Sequence, residues 1–103
     1  MPRPYSEKYL RELSKLDPER IGVQLGRICV ENNLPIMYVA RLFKVSRMTV
    51  HNWFRGKYVR DKNYTRIQTF IAQVKDAVTD GTLPAPSLSH ARQFVDIVKL
   101  KNK

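Results

Sequence analysis

The chain of 103 residues contains one cysteine, two histidines, four glycines and one tryptophan. Each scarcity removes a class of protein. A lone Cys29 cannot close an internal disulfide, so a disulfide-stapled scaffold is excluded. It falls among Ile21, Leu25 and Ile28 at helical spacing, which predicts a buried thiol. His51 and His90 stand far apart, without a second ligand at zinc spacing, so no metal is expected. The glycines form no phosphate-cradling loop. The nine acids form no paired catalytic site, and Asp76 and Asp80, four apart, suit a solvated helix face. The expectation is a protein that is not an enzyme, with no cofactor and no small-molecule ligand. No apolar run is long enough to cross a bilayer. The start, MPRPYSEKYL, lacks the apolar core of a signal peptide. A cytoplasmic location without membrane contact is expected.

The most informative absence is of acid in the middle of the chain. No Asp or Glu occurs between Glu31 and Asp61. Residues 41–66 hold eight bases and one acid, a net +7 of the +10 carried by the whole chain. Charge placed only for solubility is mixed in sign. This run predicts an anionic partner: nucleic acid, an anionic membrane surface or an acidic protein.

What is present is helical periodicity. No segment alternates apolar and polar residues long enough for a strand, so an all-α fold is expected. Ser6 is placed to cap a first helix over 6–16, with Tyr9, Leu10, Leu13 and Leu16 on one face. Asp17-Pro18-Glu19 reads as the start of a second helix, running to Glu31 and ended by Asn32-Asn33. Pro35 opens a short third helix over 36–43. Ser46 caps a fourth over 47–55, which Gly56 closes. Residues 57–62 read as a basic loop. A fifth helix is expected over 63–79, with Ile67, Phe70, Ile71, Val74 and Val78 as its stripe. Asp80-Gly81 stops it, TLPAPS forms an extended linker, and a sixth helix covers 89–100 before a frayed KNK.

The stretch VARLFKVSRMTVHNWFRGK, residues 39–57, sets a short helix, a tight turn and a second short helix in succession. Such a pair needs a small residue where the helices touch, and Ala40 is there. It needs large apolar residues one turn apart on the second helix, and Val50 and Trp53 supply them. Val45 plugs the turn, and Ser46 caps the second helix. On Ala40, the Val45-Ser46 pair, Thr49-Val50, Trp53 and Arg55-Gly56-Lys57, the segment resembles the helix-turn-helix domains of the Cro and phage-repressor type, also called Xre-like. The resemblance spans roughly residues 21–78. It implies a compact, lambda-repressor-like helical domain around a central helix-turn-helix, here with extra N- and C-terminal helices. Three positions depart from the family. Lys44 stands where glycine is usual, at a cost of ~1 kcal/mol for a left-handed lysine. Ile36 replaces a phosphate-binding glutamine. Phe54 replaces a glutamate that pairs with an arginine of the first family helix, and is expected under the loop or against the last helix.

The resemblance implies that the helix over 47–55 enters the major groove of double-stranded DNA. Arg47, Met48, His51 and Asn52 are then the candidates for base edges, Arg for guanine and Asn for adenine. Lys44, Ser46, Thr49, Arg55, Lys57 and Arg60 are the candidates for phosphates. Residues 1–17 are expected as an amphipathic helix, 18–80 as the DNA-binding domain, and 81–103 as a Pro-containing linker and helix. A homodimer reading two half-sites is expected, with the terminal helices as the contact. The leading functional expectation is a bacterial or phage transcriptional regulator, a repressor without its own ligand-sensing domain. A DNA-packaging module resembling a terminase small subunit, and an antitoxin-like protein-interaction module, are the alternatives. RNA binding through Tyr58 and Tyr64 is a further one.

Overall fold

Capping chemistry decides where each helix begins and ends. The computed structural model describes residues 5–101. These form six helices: α1 (Glu7–Ser14), α2 (Ile21–Glu31), α3 (Ile36–Phe43), α4 (Arg47–Phe54), α5 (Asp61–Thr79) and α6 (Leu88–Lys101). Among the described residues there is no strand. Of the expected frayed tail, Lys101 belongs to α6, and residues 102 and 103 lie outside the described residues.

Ser6 accepts the backbone N–H of Tyr9 at 3.2 Å, and Ser46 that of Thr49 at 3.0 Å, as side-chain caps of α1 and α4. At the other ends four helices use one device. Asn33, Lys44, Gly56 and Gly81 each take a positive φ, of 57°, 57°, 87° and 88°. In each case the next residue's N–H returns five residues to a helix carbonyl: Leu34 to Cys29, Val45 to Ala40, Lys57 to Asn52, Thr82 to Ala77. This is the Schellman arrangement, which satisfies carbonyls that a helix end leaves open. Lys44 does in the turn what glycine usually does.

Three expected boundaries shift, the first being the end of α1, which stops at Ser14 rather than Leu16. The second helix does not begin at Asp17. The Asp17 side chain instead accepts the Glu19 N–H at 3.0 Å, so 17–20 form their own turn and α2 starts at Ile21. The basic loop ends at Arg60 rather than Lys62, because Asp61 is already in the first turn of α5, where the positive helix end favours it.

One apolar cluster runs from Tyr5 to Val98 and joins all six helices. Its spine is a file of aromatic contacts. Phe43 of α3 meets Trp53 of α4 edge-on at 5.6 Å and Phe70 of α5 at 5.7 Å, and Phe70 meets Phe94 of α6 at 6.4 Å. The segment after Gly81 is not a free tether. Leu83 and Ala85 are buried, the Ala85 N–H bonds the Asn32 carbonyl at 3.0 Å, and Asn33 Nδ2 donates to the Ala85 carbonyl at 3.2 Å. The apolar face of α6, with Ala91, Phe94, Val95 and Val98, is spent inside the same chain. The radius of gyration, 12.6 Å, matches the ~13 Å of a single body near this length.

Candidate nucleic-acid interface

Two glycines of α2 hold α4 in place. A Cβ on Gly22 would lie 2.1 Å from the Trp53 carbonyl oxygen, and one on Gly26 would lie 2.9 Å from the Phe54 ring. The spacing of four puts both on one face of α2, and the backbone of α4 comes down directly onto it. Phe54 is fully buried there. Its expected place, under the loop or on the last helix, is therefore corrected: the ring covers the bare Gly26 backbone. Where the family pattern pairs a glutamate with an arginine, this chain has a phenyl ring on a glycine.

The first helix of the pair is anchored at both ends. Ile36 is buried at its start. At its end Arg66 of α5 donates to the carbonyls of Leu42 at 3.3 Å and Phe43 at 3.2 Å, and lies over the Phe43 ring at 5.2 Å. Arg66 belongs to the basic run of the sequence, yet its work is to satisfy the end of α3.

With Val50, Trp53 and Phe54 turned inward, the outer side of α4 presents the rest of the helix. Of the four residues expected at base edges, Arg47 is exposed and Met48 is 66% exposed. His51 and Asn52 are half-buried. Met48 and Asn52 share one helical stripe, and Arg47 and His51 the adjacent one. Arg47 and His51 also line a shallow hollow with Tyr9 of α1 and Ile36 and Met37 of α3.

Of the residues expected at phosphates, Lys44, Arg55, Lys57 and Arg60 are all exposed. Ser46 and Thr49 lie together, their hydroxyls 2.9 Å apart, with the Ser46 hydroxyl also accepting the Thr49 N–H as the cap of α4. Lys44 also lines a hollow with Thr65 and Thr69 of α5 and Lys99 of α6. Arg41 and Lys62, exposed as well, extend the same cationic surface. Among the described residues the one ion pair is Arg92 with Asp96 on α6. The cations around α4 thus have no carboxylate neighbour within salt-bridge distance.

The contact between Tyr9 and His51 was invisible to spacing arguments. Tyr58 is 79% exposed and Tyr64 also stands out from the surface, flanking Arg60. Tyr9 reaches across from α1 to His51, its hydroxyl 3.1 Å from Nδ1 and the rings edge-to-face at 5.7 Å. Burial, and then the nearby Arg55 charge, lower the His51 pKa from its ordinary value, so the imidazole is held neutral near pH 7. Cys29 is fully buried, which pushes its thiol pKa up and leaves it unreactive. No described helix is long and apolar enough to cross a membrane. Searches against protein-family models, curated proteins and solved structures return no match to this chain.

Proposed function

We propose that α3, the turn at 44–46 and α4 form a helix-turn-helix of the lambda-repressor-like kind, and that the chain binds double-stranded DNA sequence-specifically with α4 in the major groove. The observation that carries this reading is the surface around α4: exposed cations free of carboxylate partners among the described residues, surrounding a helix whose inner side is locked and whose outer side bears Arg47, Met48 and Asn52. Arg55, Lys57, Arg60 and Lys44 then hold phosphates, and Arg47, Met48, His51 and Asn52 meet base edges. In a cell this is a transcriptional regulator of a bacterium or phage, in its simplest form a repressor. Two copies reading adjacent half-sites supply the affinity one short helix lacks. The inner face of α6 is occupied in its own chain, so a second copy would meet its outer face, where Ile97 and Leu100 are exposed.

The reading is tested by titrating duplex DNA across a salt series. Four phosphate-holding cations give a slope of log affinity on log salt of about −3 to −4 per chain. The Lys57→Ala/Arg60→Ala variant should flatten it by about 2. An unchanged slope contradicts the assignment. The exposure of Tyr58 and Tyr64 favours a second reading, single-stranded RNA stacked on those rings. Tighter binding to single strands than to duplex, lost on Tyr58→Ala, would select it.

A further inference from the structure

Tyr9 and His51 are 42 residues apart in sequence, yet their side chains meet at hydrogen-bond distance, 3.1 Å. The contact is built up from behind. Tyr5 donates its hydroxyl to the Leu34 carbonyl at 2.6 Å, in the turn that leads into α3. The Tyr9 ring stacks on Tyr5 at 5.7 Å and 10°. Ser6 caps the start of α1, and Arg27 of α2 donates to the carbonyls of Ser14 and Leu16 at its end. Tyr9 therefore stands on a fixed base and meets an imidazole on the outer side of α4.

We infer that Tyr9 is a positioning residue that fixes the tautomer and direction of His51, so that α4 presents an Nε2–H donor to a base edge. A phenol is the stronger donor of the two groups and an imidazole nitrogen the stronger acceptor. Tyr9 Oη–H accordingly donates to Nδ1, and the ring proton resides on Nε2. The two ring nitrogens lie on opposite sides of the imidazole, so the bond at Nδ1 turns Nε2 away from α1. A single fixed donor selects an acceptor in the major groove. Guanine, with acceptors at both N7 and O6, satisfies it over the widest range of approach, and the cytosine amino group cannot. The extra helix α1 thus takes part in sequence choice without touching DNA. This inference rests on the DNA-binding reading above.

The test has two arms. Long-range proton–nitrogen NMR of the free protein reads the His51 tautomer without any DNA. The wild type should show one tautomer, protonated at Nε2, and Tyr9→Phe, which keeps the ring and removes the hydroxyl, should show a mixture. Selection from a random duplex pool should then show guanine preferred at one position, with the preference falling roughly three- to tenfold in Tyr9→Phe, the scale of one base-edge hydrogen bond. Other positions should be unchanged, and Tyr9→Phe should add nothing to His51→Ala. If both proteins show the same tautomer mixture, the positioning role is overturned even where DNA is bound. If the tautomer is fixed by Tyr9 but selection is identical with and without the hydroxyl, the role in sequence choice is overturned. If the wild type selects no sequence at all, the DNA-binding reading falls, and the base-reading half of the inference with it.

Discussion

Gly22→Ala should be far more damaging than its size suggests. The added methyl would sit 2.1 Å from the Trp53 carbonyl oxygen and 2.7 Å from the carbonyl carbon. An ordinary carbon–oxygen contact is ~3.3–3.6 Å, so α2 and α4 must separate locally by about 1.2 Å. The obstacle is backbone, which cannot rotate away as a side chain does. Separation also loosens Trp53 and Phe54, both buried at this junction. Overpacking of this kind costs roughly 1–3 kcal/mol, and a backbone obstacle belongs at the upper end. Replacing glycine by alanine in a helix gives back at most ~1 kcal/mol, and less in a first turn. The net loss is about 2 kcal/mol, or a fall in Tm of about 8–16 °C for a domain of this size. Thermal unfolding followed by circular dichroism reads it. Gly26→Ala is the internal control. Its methyl meets the Phe54 side chain, which has some freedom to shift, and the fall should be smaller. A Gly22→Ala protein that melts at or above the wild-type temperature would refute the account of how α4 is held.

Two further outcomes follow from named contacts. Arg66→Met should cost about 1–3 kcal/mol, because the Leu42 and Phe43 carbonyls lose their donor. Hydrogen exchange should quicken at the Val45 amide, which closes the end of α3, and Arg66→Lys should restore little because one ammonium cannot span both carbonyls. Acid should also weaken the fold through His51. Its pKa in the folded chain lies below the ordinary 6.5, so the unfolded chain takes up the proton first and stability falls as pH drops below about 6.5. Urea midpoints at about pH 7.5 and pH 5.5 should therefore draw apart more in the wild type than in His51→Gln. Equal separations would remove His51 from the acid response.

Local signals in the chain proved readable where one side chain acts on neighbours close in sequence. Ser6 and Ser46 cap as their positions suggest, and Pro35 opens α3. Gly56 and Gly81 end α4 and α5, and Lys44 accepts the left-handed turn its position demands. Asp17 misleads because an aspartate can close a short turn as well as start a helix, and here it does the former. The placement of the apolar stripes was legible except at Val78, which is 44% exposed because the inner face of α5 continues through Ala77 instead, but their partners were not. The residues of α6 expected to meet a second copy are instead covered within the chain, by α3 and by Phe70 of α5, because Leu83 and Ala85 of the connecting segment are buried and steer the helix back. The candidate site divides in the same way. Its exposed cations follow from a run without acids, which needs no tertiary knowledge. The Gly22–Trp53 approach, the Arg66 bonds to the end of α3 and the Tyr9–His51 contact join residues 23 or more positions apart. Gly22 and Gly26, four apart on an otherwise apolar helix face, were the one visible trace of the first of these.

The central claim is that the outer side of α4 reads DNA sequence. Selection from a random duplex pool, carried out at low and near-physiological salt with the Arg47→Ala/Asn52→Ala variant in parallel, tests it most directly. The account predicts one enriched site that survives the higher salt in the wild type and is lost in the variant. A two-fold symmetric site would add the dimer. Enrichment of nothing, with binding that fades equally in both proteins as salt rises, would contradict it and reduce the basic surface to a general electrostatic one.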